Sequence, residues 1–165
     1  MNSLSIEYIN ERSPYVVSVV SDDEVQFVTD FGVEYRVSFM EDYSIWSENA
    51  YQLLINNKTH KPSPNDSKLR DTVMTLVEAF FIGNPSILLY ICESGDDKQA
   101  ARNRLFVRWF NESGRNENFY LQDVTFSDEG VENFAALILQ RDNPEFDTIV
   151  AQFNEFVDLM TNKPE

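Results

Sequence analysis

Residues 90–110, YICESGDDKQAARNRLFVRWF, stand apart from the rest of the chain. The chain holds 13 basic and 28 acidic residues, yet Lys98, Arg102, Arg104 and Arg108 fall within eleven positions. The stretch also holds the only cysteine, Cys92, and one of the two tryptophans, Trp109. The chemistry that suits this set is recognition of an anion. Arg102 and Lys98 supply charge, Asp96 and Asp97 line the mouth of a helix, and Trp109 can stack on a guanidinium. With Arg108 these residues form the candidate binding set.

Their placement depends on the helix expected over about 97–111. At 100° per residue, Ala101, Leu105, Phe106, Trp109 and Phe110 define an apolar arc. Arg104 and Arg108 fall off its edge and reach solvent. Lys98 and Arg102 project into the arc, where Lys98 can snorkel from the first turn. Arg102 is expected to be at least partly buried, and a buried guanidinium needs a partner. That partner is an internal carboxylate such as Asp71, Asp123 or Glu34, or else an anionic ligand or partner carboxylate. The acidic turn from Glu93 to Asp97 suits a helix N-terminus, with Asp96 as cap and Gln99 reaching back.

Other combinations fail for want of companions. Asp30-Phe31-Gly32 spells the kinase metal-binding triplet, but no phosphate-cradling glycine loop or catalytic-loop motif accompanies it, so it reads as a hairpin turn. Cys92 ends an apolar strand beside acidic residues that would raise its pKa. Its only imidazole companion is His60. One histidine and one cysteine exclude the usual zinc clusters, and the carboxylate runs at Asp22-Asp23-Glu24 and Glu41-Asp42 fall in expected turns. No catalytic residue, metal site or cofactor is therefore assigned, and a binding protein is favoured over an enzyme.

The elements that must hold these residues are legible from periodicity. Tyr15–Val20, Val25–Thr29, Val33–Met40 and Tyr51–Asn56 read as four strands of an antiparallel meander. After the polar loop 56–67, Asp66 or Ser67 caps a helix to about Ile82, with Leu69, Val73, Leu76, Val77 and Phe80 as its buried stripe. Ser86–Cys92 is apolar on both faces, as a central strand should be. Phe119–Phe126 and Val131–Gln140 read as a strand pair, although Val131, Phe134, Ala135 and Ile138 also fit a helical period. Asn143-Pro144 opens a last helix, whose apolar face runs from Phe146 to Met160. The expected fold is a single α+β domain over 1–165, a mainly antiparallel sheet with three helices in the order ββββ-α-β-α-ββ-α. Residues 1–13 and 161–165 are expected to be loosely ordered tails.

At 165 residues, with 42% hydrophobic and 13% aromatic content, the chain is long enough to bury roughly two-thirds of its unfolded surface. The N-terminus lacks a basic region followed by an apolar run, the apolar runs are too short to span a bilayer, and a lone cysteine suits a reducing compartment. A cytoplasmic address without membrane contact is expected. The net charge of −15 disfavours nucleic acid, whose phosphates call for clustered cations, and suits a basic protein partner.

In "FVTDFGVEYRVSF", "LLYICESGDDKQAARNRLFVRWF" and "DNPEFDTIVAQF" the chain resembles a family of small bacterial proteins of unknown function, over about residues 14–157. The resemblance implies no activity and transfers no functional residue. The expectation is an acidic cytoplasmic binding or regulatory module for another protein, such as an antitoxin or immunity protein that neutralises a basic one. The rival is a small anionic-ligand binder or enzyme centred on Arg102 and the 93–98 turn.

Overall fold

A computed structural model of the chain describes residues 1, 3–83, 85–92 and 98–162. It has an α+β fold with a mixed seven-stranded sheet in the order β1-β2-β3-β4-β5-β7-β6. The strands are β1 Ser18–Ser21, β2 Glu24–Val28, β3 Glu34–Glu41, β4 Ala50–Asn57, β5 Ile87–Cys92, β6 Phe119–Asp128 and β7 Val131–Gln140. The α-helices are α1 Ile6–Arg12, α2 Ser67–Gly83, α3 Gln99–Glu112 and α4 Phe146–Thr161, with a 3-10 turn at Arg115–Glu117. The chain divides into two compact units, Met1–Met40 with Leu53–Pro85, and Glu41–Gln52 with Ser86–Glu165.

In the first unit β1, β2 and β3 form the expected antiparallel meander, with Val25 opposite Val37 and Phe27 opposite Tyr35. Val25, Phe27, Tyr35, Val37 and Phe39 are buried, while Glu34, Arg36 and Ser38 are half-buried. Period-two alternation thus turns one face of these strands inward. The rings of Tyr15, Phe27 and Tyr35 stack in succession at 6.0 and 5.6 Å. The Asp30-Phe31-Gly32 turn is the expected hairpin connection. Gly32 sits at φ 74°, a left-handed geometry that glycine adopts without steric cost. The Thr29 hydroxyl accepts from the N–H groups of Phe31 and Val33, both at 3.2 Å.

Helix α2 buries its expected stripe and also Thr72, Met74, Thr75, Ala79 and Phe81. Part of the reason is a fourth helix where a loose tail is expected: α1 packs against α2. Ser5 caps α1 by accepting from the N–H of Tyr8, and Ile9 is fully buried. Asn10 then ties down the chain beyond, donating to the carbonyl of Val17 at 2.9 Å and accepting its N–H at 2.8 Å. The Tyr15 N–H turns to the Thr72 hydroxyl. These three bonds use up backbone groups that a ladder would need, so β1 begins at Ser18 rather than Tyr15.

Asp66 is the cap of α2, accepting from the N–H of Lys68 at 2.9 Å. Its second oxygen accepts the Tyr15 hydroxyl, which itself accepts the Asp30 N–H at 3.3 Å. Burial first, then the bond to Asp66, pushes the Tyr15 phenol up to about 12. The folded state therefore favours the neutral phenol. This stabilisation is complete below the ordinary value of about 10 and is lost as pH rises through 12. Stability is expected to fall between pH 10 and 12, measurably less so in Tyr15→Phe, when urea midpoints are followed against pH.

In the second unit β7 lies between β5 and β6, antiparallel to both, in the registers Leu89↔Leu137 and Gln122↔Leu137. Ten consecutive pairs with β6 settle 131–140 as strand and not helix. Residues Ala135–Leu139 are buried on both faces because a helix covers each. On one face Ile149 and Phe153 of α4 join Trp46, Ile87, Leu89, Leu137 and Leu139 in a core cluster. On the other Phe106 of α3 stacks on Tyr90 at 4.2 Å. This double cover explains why β5 is apolar throughout. The Ile87 N–H donates to the carbonyl of Asn49 (2.8 Å), which sets the head of β5 beside the head of β4. Helix α4 begins at Phe146 rather than Pro144, since Asn143 closes a preceding turn by accepting the Glu145 N–H at 2.8 Å.

Candidate functional site

Helix α3 is where the sequence places the site, and the structure rotates it relative to the expected arc. Its buried residues are Asn103, Phe106, Trp109 and Phe110; Ala101 is exposed and Leu105 half-buried. The buried line is centred near Phe106 and Phe110, with a polar residue, Asn103, within it. Arg102 is consequently exposed, and the expectation of a buried guanidinium does not hold. Its side chain leaves from the first turn, where the helix meets the end of β5. Burial raises the pKa values of Tyr90 and Cys92, and the charge of Arg102 opposes that rise. Lys98 is exposed at the N-cap position without a side-chain cap bond. Arg108 is exposed and sits 3.7 Å from Glu112.

The candidate set therefore does not converge on one point. Six residues apart, Arg102 and Arg108 point about 120° away from each other around the helix. Trp109 is buried in the packing face. Asp96 and Asp97, with the rest of the 93–97 turn, lie outside the described residues. Only Lys98 and Arg102 remain neighbours at the start of α3. Arg102→Ala is expected to change stability by less than about 0.5 kcal/mol, measured by urea denaturation against Arg104→Ala.

Cys92 is buried, and burial pushes its thiol pKa up against the downward pull of a Tyr90 hydrogen bond and of Arg102. A buried, protonated thiol is a poor nucleophile. Native Cys92 is expected to resist a thiol reagent at neutral pH and to react promptly once the chain is unfolded in urea. Rapid labelling of the native protein would contradict this. Among the described residues no group of three or more His, Cys, Asp or Glu side chains is placed to hold a metal ion.

The sequence reading missed a pair of polar atoms beneath α3. Gln99 Oε1 and Asn103 Oδ1, one turn apart, are both shielded from solvent without a hydrogen-bond partner. Asn103 is 5% exposed. A visible signal exists in the sequence: two carboxamides at i and i+4 on the side of the helix that carries Phe106 and Phe110. Leaving a buried acceptor unpaired costs about 1–3 kcal/mol. Asn103→Leu, close in volume and without the orphan oxygen, is expected to raise stability by about 1 kcal/mol, read as a higher urea midpoint.

Charge is distributed unevenly over this unit. From Lys98 to Glu117 there are five cations against Glu112 and Glu117, whereas from Phe119 to Thr161 nine carboxylates face one cation, Arg141. A surface concavity of about 470 Å³ lies where these segments meet, lined by Glu117, Asn118, Phe119, Gln140, Arg141 and Asp142. The Arg141 guanidinium is already engaged there, its Nε donating to the carbonyl of Asn116 at 2.7 Å.

These features define an α+β protein with a mixed sheet, a basic helix and an acidic hairpin and final helix, in which no described helix is long and apolar enough to cross a membrane. Over residues 65–155, more than half of the chain, the sequence matches DUF6169, a family of unknown function, and the chain belongs to that family. The match takes in α2 through most of α4. No curated protein matches the chain.

Proposed function

We propose that this protein is a binding module that presents a carboxylate-rich surface to a basic protein partner, in the manner of an antitoxin or immunity protein of the bacterial cytoplasm. The observation that carries this reading is the fate of the carboxylates. With 28 acidic and 13 basic residues, internal pairing leaves a surplus of fifteen. No Asp or Glu among the described residues is buried. Among the described residues the surplus therefore lies outside the core, and two stretches hold much of it: 22–48, with eight carboxylates against Arg36, and 119–161, with nine against Arg141. Such a surface raises the local concentration of a cationic partner and speeds its docking.

The test is purification of the tagged chain from a native lysate of its own source. A stoichiometric basic protein is expected to accompany it. It should be lost when Asp123, Asp128, Glu129 and Glu132 are changed to their amides, and kept when Asp22 and Asp23 are changed instead. Loss in both variants or in neither would remove the acidic hairpin from the account. The second reading, an anionic ligand or substrate held at the start of α3, draws on the joint exposure of Lys98 and Arg102. A titration with inorganic phosphate that perturbs the amides of α3, and fails to do so in Arg102→Ala, would favour it.

A further inference from the structure

Strand β6 ends the sheet, with β7 on one side and no strand among the described residues on the other. All ten of its residues pair with β7 in unbroken register, from Phe119↔Gln140 to Asp128↔Val131. In an antiparallel ladder alternate residues turn their N–H and C=O groups away from the partner strand. Between Leu121 and Ser127, no described residue takes up those outward groups. An edge this long and regular is a template for another strand unless it is blunted. The other edge is blunted: β1 has four residues and a register shift between Val19 and Ser21. β6 has no bulge, no proline and no lysine. Asp123, Thr125 and Ser127 are exposed along it, on the face that carries α3 over β5 and β7.

We propose that the free edge of β6 receives an extended, lysine- or arginine-bearing segment of a partner protein as an added strand. This rests on the reading that the partner is basic, and it specifies how the partner docks. Main-chain hydrogen bonds supply the affinity of such strand addition, and side chains on alternate positions supply its selectivity. The charge on and around the edge chooses the occupant. Asp123 and Asp128 lie on β6 and Glu129 in its turn. A second copy of β6 would set these carboxylates against their like, which opposes cross-strand pairing. A cationic strand meets them favourably.

The experiment uses the full chain and a ten-residue synthetic peptide alternating lysine with threonine and valine, read by amide hydrogen exchange. A version N-methylated throughout keeps the charge but cannot donate along either edge, and a third version carries glutamate for lysine. The lysine peptide is expected to slow exchange of the outward amides between Leu121 and Ser127 by at least about tenfold. The methylated and glutamate versions should leave them unchanged, and Asp123→Lys should weaken lysine-peptide binding by about tenfold, equivalent to about 1.4 kcal/mol. If the methylated peptide binds as well as its parent, the edge proposal fails while the basic-partner reading survives. If no cationic peptide binds at all, both fall. Protection that grows with protein concentration alone would assign the edge to a second copy and overturn the proposal.

Discussion

Phe153→Ala is expected to destabilise the second unit by about 3–5 kcal/mol. Phe153 is 1% exposed and stacks on Trp46 with ring centroids 6.2 Å apart. It lies within the core cluster that contains Ile87, Leu89, Leu137 and Ile149. Truncation removes the transfer energy of the ring and leaves a cavity that strands paired on both sides cannot close. Both tryptophans, Trp46 and Trp109, belong to this unit, so their fluorescence follows its unfolding in urea. Leu159→Ala is the control: Leu159 is 65% exposed, and its loss should cost less than about 0.5 kcal/mol. Equal effects from the two substitutions would mean that α4 does not pack as described.

A loss of similar size, about 3–5 kcal/mol, is expected from Phe80→Ala in the first unit. Phe80 is fully buried on α2. It stacks on Phe39 of β3 at 4.8 Å and meets Phe81 edge-on at 5.0 Å. Aromatic pairs add about 0.5–1.5 kcal/mol beyond the area they bury, so Phe80→Leu should recover only part of the loss. Far-ultraviolet circular dichroism in urea reads this unit, which contains no tryptophan. A midpoint unchanged by Phe80→Ala would contradict the placement of α2 against β3.

How much of this was legible in the sequence depends on what each signal measures. Apolar periodicity reports burial, and where burial alone decides the structure it located the elements well: the meander, α2, β5 and α4 fall within a few residues of expectation. α1 escaped because it has seven residues and one buried side chain, Ile9, too few to show a period. Its signal was chemical: Ser5 as an N-cap and Asn10 placed to bridge Val17. The register of α3 was misjudged because periodicity assigns apolar residues inward, whereas the helix buries Asn103 and leaves Ala101 in solvent. The resulting rotation exposes Arg102 and disperses the candidate set. The carboxamides of Gln99 and Asn103 are legible as an i, i+4 pair on the packing side of α3, but their lack of a partner, like the free edge of β6, is a property of three-dimensional pairing. Charge was legible from composition; the share that falls on the hairpin and α4 needed only the element boundaries.

The central claim is that surplus carboxylates at the surface bring a basic partner to this protein. It is tested most directly by the association rate of the purified pair, measured by stopped flow as ionic strength rises from about 10 mM to 150 mM, over which the screening length falls from about 30 to 8 Å. An on-rate that falls by about tenfold or more, with a dissociation rate nearly constant, is the result predicted for electrostatically steered docking. An on-rate indifferent to salt across that range would contradict the account.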